Sequence, residues 1–419
     1  MTRASGVAAS HAAGSRSLSR LPHVIAYADG PGASTLAPQH VAELAAVDGD
    51  WSLLFGFMPD PAPPWLADLH AGAGVTMLGG YALADALARG QVTLLPVRLS
   101  AMPGLLAGEL RPDVAVVVGI RRGSTLAFRA NPGWAHAAAR HARAVVVELD
   151  EHAPDLGAPE IPGNVVAVVP GARPLIAPAP IEPTAADLAI AEHVASLVPA
   201  GATVQHGPGG IGDAVMRALR EPVRFLSGLA GDSLVALAAR GLLDGRAEAA
   251  YLWGGDELVA MAVDGSLRLV PVEQTHDIGR LAQIPRFVAC NTALQVGLDG
   301  AVNVERVGSR VVAGIGGHAD FSIAASLSPG GRSIVALRAA RGGRSAIVPR
   351  LDVVSTPRCD IDFVVTEHGV ADLRGATDAA RAAALIAVAA PGHRDALARG
   401  LAGDLTEREP AQPRSGTLR

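Results

Sequence analysis

Three segments in the second half of the chain combine glycines with polar side chains in patterns suited to chemistry. The first, TVQHGPGGIGDAVMRAL (203–219), predicts a strand, a glycine turn and the start of a helix. Gly207, Gly209 and Gly212 have the spacing G-x-G-x-x-G, and Asp232 follows 20 residues after Gly212. Such a turn presents backbone N–H groups at a helix N-terminus, where phosphate binds favourably. The spacing leaves open a dinucleotide site, another phosphate-bearing ligand, or a tight turn without a ligand.

A second glycine turn lies in VVAGIGGHADFSIAASL (311–327), again between an apolar run and a predicted helix. Asp320 and Ser322 are candidate N-caps of that helix. Two such turns in one domain would direct backbone N–H groups at a polyanionic ligand or at a developing oxyanion. His318 in this turn is a candidate ligand contact, and a hydrogen bond to neighbouring backbone is the alternative.

The third segment, DFVVTEHGVADLRGATDAARAAALIAVAAPGHRDAL (362–397), predicts a buried strand, a polar turn and an alanine-rich helix. Glu367 and His368 fall at the end of the strand, where α/β proteins place their chemistry. Glu367 is a candidate general base. The favoured alternative is a structural carboxylate that accepts hydrogen bonds from loop N–H groups.

The composition excludes several classes of function. The net charge of -5 and the pI near 6.2 provide no positive surface for nucleic acid or an anionic membrane. All 35 basic residues are arginine, which excludes a lysine Schiff base and a Walker-A loop. No apolar run is long enough to predict a membrane span. Cys290 and Cys359 have no metal-site spacing, so we predict no metal and a reducing, cytoplasmic location.

Short apolar runs alternate with alanine- and leucine-rich stretches along the chain, which predicts strands and helices in turn. Runs such as VAVVVG and AVVVEL are typical of parallel strands buried on both faces. We therefore predict an α/β fold with two similar open parallel-sheet domains. Asn131 and Thr184 are predicted N-caps of two helices. The predicted organisation is a disordered N-terminus (1–20), an N-terminal α/β domain (21–175), a proline-rich linker (176–186), a C-terminal α/β domain (187–403) and a disordered tail (404–419).

The motifs GIGGHADF, VVTEHGVADLRG and APGHRDAL together resemble the acetyl-CoA hydrolase/CoA-transferase family, which includes acetate and 4-hydroxybutyrate CoA-transferases. VQHGPGGIGDAV is similar to the CoA-binding glycine loop of that family. The resemblance spans about residues 21–402 and is strongest in the last hundred residues of that span. It implies two domains of the CoA-transferase type and a ligand that is coenzyme A or its thioester.

The same resemblance implies which residues bind the substrate. Coenzyme A would be a substrate, with a small carboxylic acid as the second partner, and no cofactor would be bound permanently. A homo-oligomer stays an open alternative. The implied CoA-binding residues are Gly207, Gly209, Gly210, Ile211, Gly212, Gly314, Gly316 and Gly317.

One departure from the family concerns the catalytic residue. Family members transfer CoA through a glutamate in a segment like H-S-E-M-x-S-D-G, and the matching segment here is RFLSGLAGDSLVAL. Ser227 and Asp232 match that pattern, which places Gly228 where the family has its glutamate. Glycine has no nucleophile, so the catalytic group stays unassigned, with Asp232, Glu367 and His318 as candidates.

We therefore expect a hydrolase or CoA-transferase that acts on short-chain acyl-CoA and carboxylic acids. The first alternative is a non-catalytic relative that only binds CoA thioesters. A nucleotide-dependent oxidoreductase is a remote alternative.

Overall fold

The computed structural model describes residues 23–171 and 174–406, with side chains up to residue 400. In the first half the strands and helices are β1 (His23–Tyr27), α1 (Pro38–Leu44), β2 (Trp51–Phe55), β3 (Gly74–Thr76), α2 (Ala84–Ala88), β4 (Val92–Leu94), α3 (Met102–Ala107), β5 (Val114–Arg122), β6 (Thr125–Phe128), α4 (Ala135–His141), β7 (Ala144–Leu149) and β8 (Val165–Pro170).

The second half has more elements, because two insertions follow its central strands. Its helices are α5 (Ala185–Ser196), α6 (Gly210–Ala218), α7 (Asp232–Ala239), α8 (Asp256–Val263), α9 (Val272–Thr275), α10 (Ile278–Ala282), α11 (His318–Leu327), α12 (Asp378–Val388) and α13 (Pro391–Thr406). Its strands are β9 (Thr203–His206), β10 (Arg224–Ala230), β11 (Ala247–Leu252), β12 (Leu267–Leu269), β13 (Phe287–Thr292), β14 (Gln295–Gly297), β15 (Val302–Asn303), β16 (Arg306–Val307), β17 (Arg310–Val311), β18 (Arg332–Ala336), β19 (Ala340–Arg341), β20 (Arg344–Ser345), β21 (Ile347–Val348), β22 (Phe363–Thr366) and β23 (Gly369–Asp372).

Each half is built on one large sheet with the same internal order. The first sheet runs β4-β3-β2-β1-β5-β7-β8, with β6 antiparallel to β5. The second runs β12-β11-β10-β9-β13-β18-β22-β23, and β23 is its antiparallel member. In both sheets the first strand is central and the order reverses beside it. The prediction of two similar, mostly parallel α/β domains is confirmed.

Local sequence explains most of these elements. Strand β7 is a run of valines buried along its whole length, as a central parallel strand requires. Helix α5 begins with a capping box in which Thr184 and Asp187 bond each other's backbone N–H, so the predicted cap is confirmed. Residues 174–184, rich in proline, form neither helix nor strand. The predicted domain limits stay predictions.

Two of the predicted caps are wrong. Helix α4 begins at Ala135 with Trp134 as its N-cap, and Asn131 instead accepts a hydrogen bond from the Leu252 N–H at 2.7 Å. Helix α11 has Gly317 as its N-cap, so neither Asp320 nor Ser322 has that role. Asn131 and Asp320 instead bond residues of the other half of the chain, and Ser322 is buried within its helix. None of these side chains is therefore at the end of its own helix to cap it.

The two halves share one hydrophobic core and several buried hydrogen bonds. The largest core cluster contains residues from Val24 to Val365, which come from both sheets. The Tyr251 hydroxyl donates to Asp29 at 2.6 Å, and the Leu99 N–H donates to the Gly316 carbonyl at 3.0 Å. The two halves are therefore in extensive contact, through a shared core and hydrogen bonds between them.

The segments predicted to be disordered, 1–20 and 404–419, lie outside the described residues except for 404–406, which end α13. Within the part of the chain that the structure describes, no helix is long and apolar enough to span a membrane.

The buried pair of Asp29 and Tyr251 gives a testable pH dependence of stability. Burial raises the pKa of Asp29 to about 7, so the folded protein keeps this proton after the unfolded chain has released it near pH 4. The contribution of Asp29 to the free energy of unfolding is therefore full below pH 4 and is lost as the pH rises through 7. We expect Asp29→Asn to gain stability relative to the wild type across this interval, by up to about 4 kcal/mol.

Denaturant unfolding between pH 4.5 and 8 measures this difference. The exposed Asp48→Asn is the matched control, and its difference from the wild type should not change with pH. A constant difference for Asp29→Asn over the same range would contradict the assignment.

Candidate active site

A cavity of about 410 Å³ opens at the carboxyl ends of the central strands of the second sheet. It lies at the neighbouring ends of the paired strands β9 and β13, where the strand order reverses, which is the position that open α/β sheets use for ligands. The first half closes one side of the cavity with Phe57, Leu78, Gly79, Tyr81 and Leu99. The sequence-predicted residues that line it are Gly207, Gly228, Gly314, Gly316, Gly317 and His318.

The order of strands fixes the order of residues along the cavity. Tyr251 is the penultimate residue of β11, Gly228 lies near the end of β10, and Gly207 follows β9. Next come Thr292 at the end of β13 and Arg341 beyond β18. The reacting centre expected at Gly228 is therefore flanked by aromatic residues on one side and by the glycine loop and an arginine on the other.

The first glycine turn leads into helix α6 as predicted, but only Gly207 of the predicted set lines the cavity. Gly209 is the N-cap, with a φ of 115° that favours glycine. A side chain at Gly212 would overlap the Gly207 carbonyl, so this glycine is required by the tight turn itself. Gly210 lies beside Ile181, and neither it nor Ile211 is in the cavity wall. Their role in CoA binding stays a prediction.

The second glycine turn is shaped by contacts on both sides. A side chain at Gly314 would overlap the Met77 carbonyl of the first half. Gly316 has a φ of 56°, and a Cβ there would meet no atom within 4 Å. A Cβ at Gly317 would lie 2.5 Å from His276 Nε2. The turn therefore brings bare backbone to the cavity, and it ends in the N-terminus of α11.

Asp320, the third residue of α11, anchors this turn to the first half of the chain. Its side chain is fully buried, and it accepts hydrogen bonds from the Ser100 N–H at 3.0 Å and the Ser100 hydroxyl at 2.6 Å. Arg98 lies 3.9 Å away. Burial raises the pKa of Asp320 to about 6, and the bonds from Ser100 oppose that rise. A carboxylate so placed fixes the position of the turn relative to both sheets.

His276 is the side chain closest to Gly228. A Cβ built on Gly228 would lie 3.2 Å from the His276 ring and 3.5 Å from Phe321. The His276 ring packs on Phe321 with centroids 4.6 Å apart, and its Nδ1 is 2.8 Å from the Thr275 hydroxyl. Its Nε2 edge therefore faces the gap between Gly228 and Gly317.

The Thr275 hydroxyl determines which nitrogen of His276 carries the proton. Thr275 is fully buried, and within the described residues His276 Nδ1 is the partner of its hydroxyl. A buried hydroxyl that did not donate would leave a costly unpaired donor. Donation to Nδ1 leaves the hydrogen on Nε2, directed at the gap. Burial lowers the pKa of His276 to about 3, so the ring stays neutral at neutral pH.

Two more histidines lie in the cavity wall. His318 contacts the Thr356 hydroxyl through Nδ1 at 2.8 Å, and burial lowers its pKa to about 4. His206 bonds the Gly207 carbonyl through Nδ1, which must carry the proton because a carbonyl only accepts. Within the described residues, the buried Nε2 atoms of both rings have no hydrogen-bond partner. All three rings are therefore neutral polar groups.

The predicted carboxylate candidates lie outside the cavity wall. Asp232 is exposed at the start of α7 and accepts a hydrogen bond from the Gly255 N–H at 2.8 Å. Glu367 accepts one from the Ala339 N–H at 2.8 Å, which is the structural role that the sequence favoured. Ser227 lines the cavity, but its hydroxyl donates to the His206 carbonyl rather than to a base.

Sequence reasoning missed several cavity residues. His276 lies in QTHDIG, which matches no motif, and His206 directly precedes the glycine turn that was recognised. Phe57 and Tyr81 come from the first half of the chain and reach the cavity only through the packing of the halves. The one available signal was the position of His206 and Phe57 at the carboxyl ends of predicted strands. The described residues hold no cluster of three or more side chains that could bind a metal ion.

Known proteins share this architecture. Residues 258–401 match the model of the acetyl-CoA hydrolase/transferase C-terminal domain. A point mutant of RipA aligns with a TM-score of 0.81 and 26% identity, over 91% of this chain and 94% of that one. A 4-hydroxybutyrate CoA-transferase from Porphyromonas gingivalis aligns with a TM-score of 0.70 and 25% identity, over 92% of this chain and 94% of that one.

Curated relatives extend over both halves of the chain. The 4-hydroxybutyrate coenzyme A transferase of Clostridium kluyveri is 30% identical over 337 residues, which are 75% of this chain and 78% of that protein. The butyryl-CoA:acetate CoA-transferase of Anaerostipes caccae is 31% identical over 332 residues, 72% of this chain and 74% of that protein. The chain with its paired sheets and glycine-lined cavity therefore belongs to the acetyl-CoA hydrolase/CoA-transferase family.

Proposed function

We propose that this protein cleaves short-chain acyl-CoA thioesters in the cavity between its halves, as an acyl-CoA hydrolase or CoA-transferase. The observation that carries the proposal is the meeting of three sequence-distant elements around one space. These are the turn at Gly207, the strand end at Gly228 and the turn at Gly314–Gly317. Such a space suits a thioester, whose carbonyl needs hydrogen-bond donors when it is attacked.

The anionic end of coenzyme A fits the side of the cavity formed by β9, β13 and β18. The N-terminus of α6 lies there, and its backbone N–H groups favour a negative charge. Arg341 lines the same side and is exposed, with no acidic partner among the described residues. The proposed role of the residues at 207–212 is to shape this end of the site.

The proposed position of the thioester carbonyl is in the cavity beside the Gly317 backbone and the Nε2 edge of His276. The first turn of α11 supplies N–H groups without helical partners, and His276 supplies its Nε2–H. A neutral imidazole donates such a hydrogen bond without transferring its proton, because its conjugate base is very unstable. Together these donors stabilise the oxyanion formed when the acyl carbon is attacked.

The nucleophile must come from outside the described cavity wall, which contains no aspartate or glutamate. Attack by water yields the free acid and coenzyme A. Attack by an acceptor carboxylate instead yields a mixed anhydride and the CoA thiolate. The thiolate then attacks the acceptor carbonyl of the anhydride, which gives the new thioester and releases the original acyl group as its carboxylate. Either nucleophile approaches the acyl carbon from the cavity beside Gly228, where the backbone carries no side chain.

His276 provides the direct test of this chemistry. We expect His276→Ala to lower kcat by about 100-fold, because it removes an oxyanion donor. His276→Asn keeps an N–H donor and should retain more of the rate. Thiol release from acetyl-CoA and butyryl-CoA measures hydrolysis, and mass spectrometry of CoA esters formed with added acetate or succinate measures transfer.

The affinity for free CoA is the control, and it should change less than threefold in both variants. A wild-type protein that is stabilised by CoA on thermal unfolding but turns over none of these thioesters would contradict catalysis. That result would favour the non-catalytic binding alternative.

Gly228 provides the second test. We expect Gly228→Glu to restore a covalent route in which the carboxylate forms first an anhydride and then a glutamyl-CoA thioester. Because a Cβ at this position is only 3.2 Å from the His276 ring, the glutamate of the single variant is crowded, and the single variant should form this thioester only slowly. The double variant Gly228→Glu/His276→Asn makes room for the carboxylate and keeps an N–H donor, so it should accumulate the CoA adduct more readily, as measured by intact-protein mass spectrometry.

The isosteric Gly228→Gln/His276→Asn has no nucleophile and serves as the control. If the Glu double variant is folded and binds CoA but forms no adduct, then Gly228 does not occupy the position of the family glutamate.

A further inference from the structure

Aromatic side chains are scarce in this protein, and four of them form one cluster, of which Phe57, Tyr81 and Tyr251 line one end of the cavity and Trp253 packs behind them. The chain has 14 aromatic residues in all. Phe57 packs edge-on against Tyr81 and Trp253, with ring centroids 5.3 and 5.4 Å apart, and Tyr81 contacts Trp253 at 5.7 Å. Tyr251 joins the group through Phe57 at 6.4 Å. We call these four residues the aromatic cluster, and both halves of the chain contribute to it.

Tyr81 is held in place although much of its ring is open. Its side chain is 54% exposed, and its φ of 48° lies in the left-handed region that residues other than glycine rarely adopt. Such a conformation persists where the surroundings determine it, often at functional sites. Here the preceding Gly79 and Gly80 press against Val311–Ala313, the segment that leads into the second glycine turn. The exposed ring is thus presented at a defined place.

The aromatic cluster lies on one definite side of the reacting centre. Strand β11 pairs with β10 so that Tyr251 is the partner of Leu229, the neighbour of Gly228. On the other side of Gly228 lie the glycine loop and Arg341. Arg341 is the only arginine in the described cavity wall, and no acidic residue lines it. The cavity therefore has a polar end suited to phosphates and an apolar aromatic end.

We propose that the aromatic cluster is the acyl subsite, and that it accepts the hydrocarbon part of acyl groups longer than acetyl. The proposal rests on the proposed function, because a thioester attacked at Gly228 with its CoA on the polar side must direct its acyl group to the aromatic side. Aromatic rings gain free energy by covering methylene groups, and an acetyl group has none to offer.

A series of acyl-CoA thioesters tests the subsite. We expect kcat/KM to rise from acetyl-CoA to butyryl-CoA and hexanoyl-CoA by about fourfold for each buried methylene. Tyr81→Ala and Trp253→Leu, measured separately, should lower kcat/KM for the two longer substrates about tenfold or more. Acetyl-CoA should change less than threefold. Arg341→Ala is the contrasting variant, because it should lower kcat/KM for all three substrates by the same factor.

If Tyr81→Ala and Trp253→Leu lower kcat/KM equally for all chain lengths, or weaken the binding of free CoA, the proposed acyl subsite is wrong. Either result would indicate that the rings stack on the adenine of CoA instead. Ketone analogues, in which CH₂ replaces the thioester sulfur, allow the same series to be measured as Kd values. Binding of all analogues with one affinity would refute the subsite alone. Failure of the wild type to bind any of them would refute the proposed function and the subsite with it.

Discussion

The arrangement of the cavity depends on the hydrogen bonds between Asp320 and Ser100. A fully buried carboxylate requires compensation, and here the compensation comes from a segment 220 residues away in the sequence. Because Asp320 belongs to the first turn of α11, this contact determines where the helix begins in relation to the first half of the chain. Leu99 bonds the same turn through Gly316. The oxyanion donors, the CoA side and the aromatic side are all positioned with respect to this contact.

The two sheets repeat one topology, and the cavity of about 410 Å³ lies at the switch point of the second. In the second sheet, the strand order from β11 to β18 arranges aromatic residues, Gly228, the glycine loop and Arg341 in sequence along one edge. The first half contributes a wall rather than a second site, through Phe57 and Tyr81. A thioester lying along this edge would have its polar and apolar parts matched to the two ends.

The neutral histidines suit a site without its own carboxylate. His206, His276 and His318 are all buried, and burial lowers the pKa of each. Neutral rings with fixed tautomers can donate or accept hydrogen bonds without carrying a charge that would repel or trap a substrate. His276 also partly fills the space beside Gly228. The absence of a carboxylate at position 228 and the presence of a ring beside it therefore belong to one local arrangement.

Local patterns in the sequence determined the α/β class, the alternation of strands and helices, the Thr184 cap and both glycine turns, because each depends on neighbouring residues only. They also identified the family, because each of its motifs is a contiguous stretch of sequence. The tertiary structure alone decided that Asp320 and Asn131 bond the opposite half instead of capping helices. It alone placed His276 against Gly228 and Tyr81 against Trp253, while Glu367 and Asp232 fell outside the cavity. Contacts between residues far apart in the chain depend on how two sheets pack, and no local pattern of residues encodes that packing.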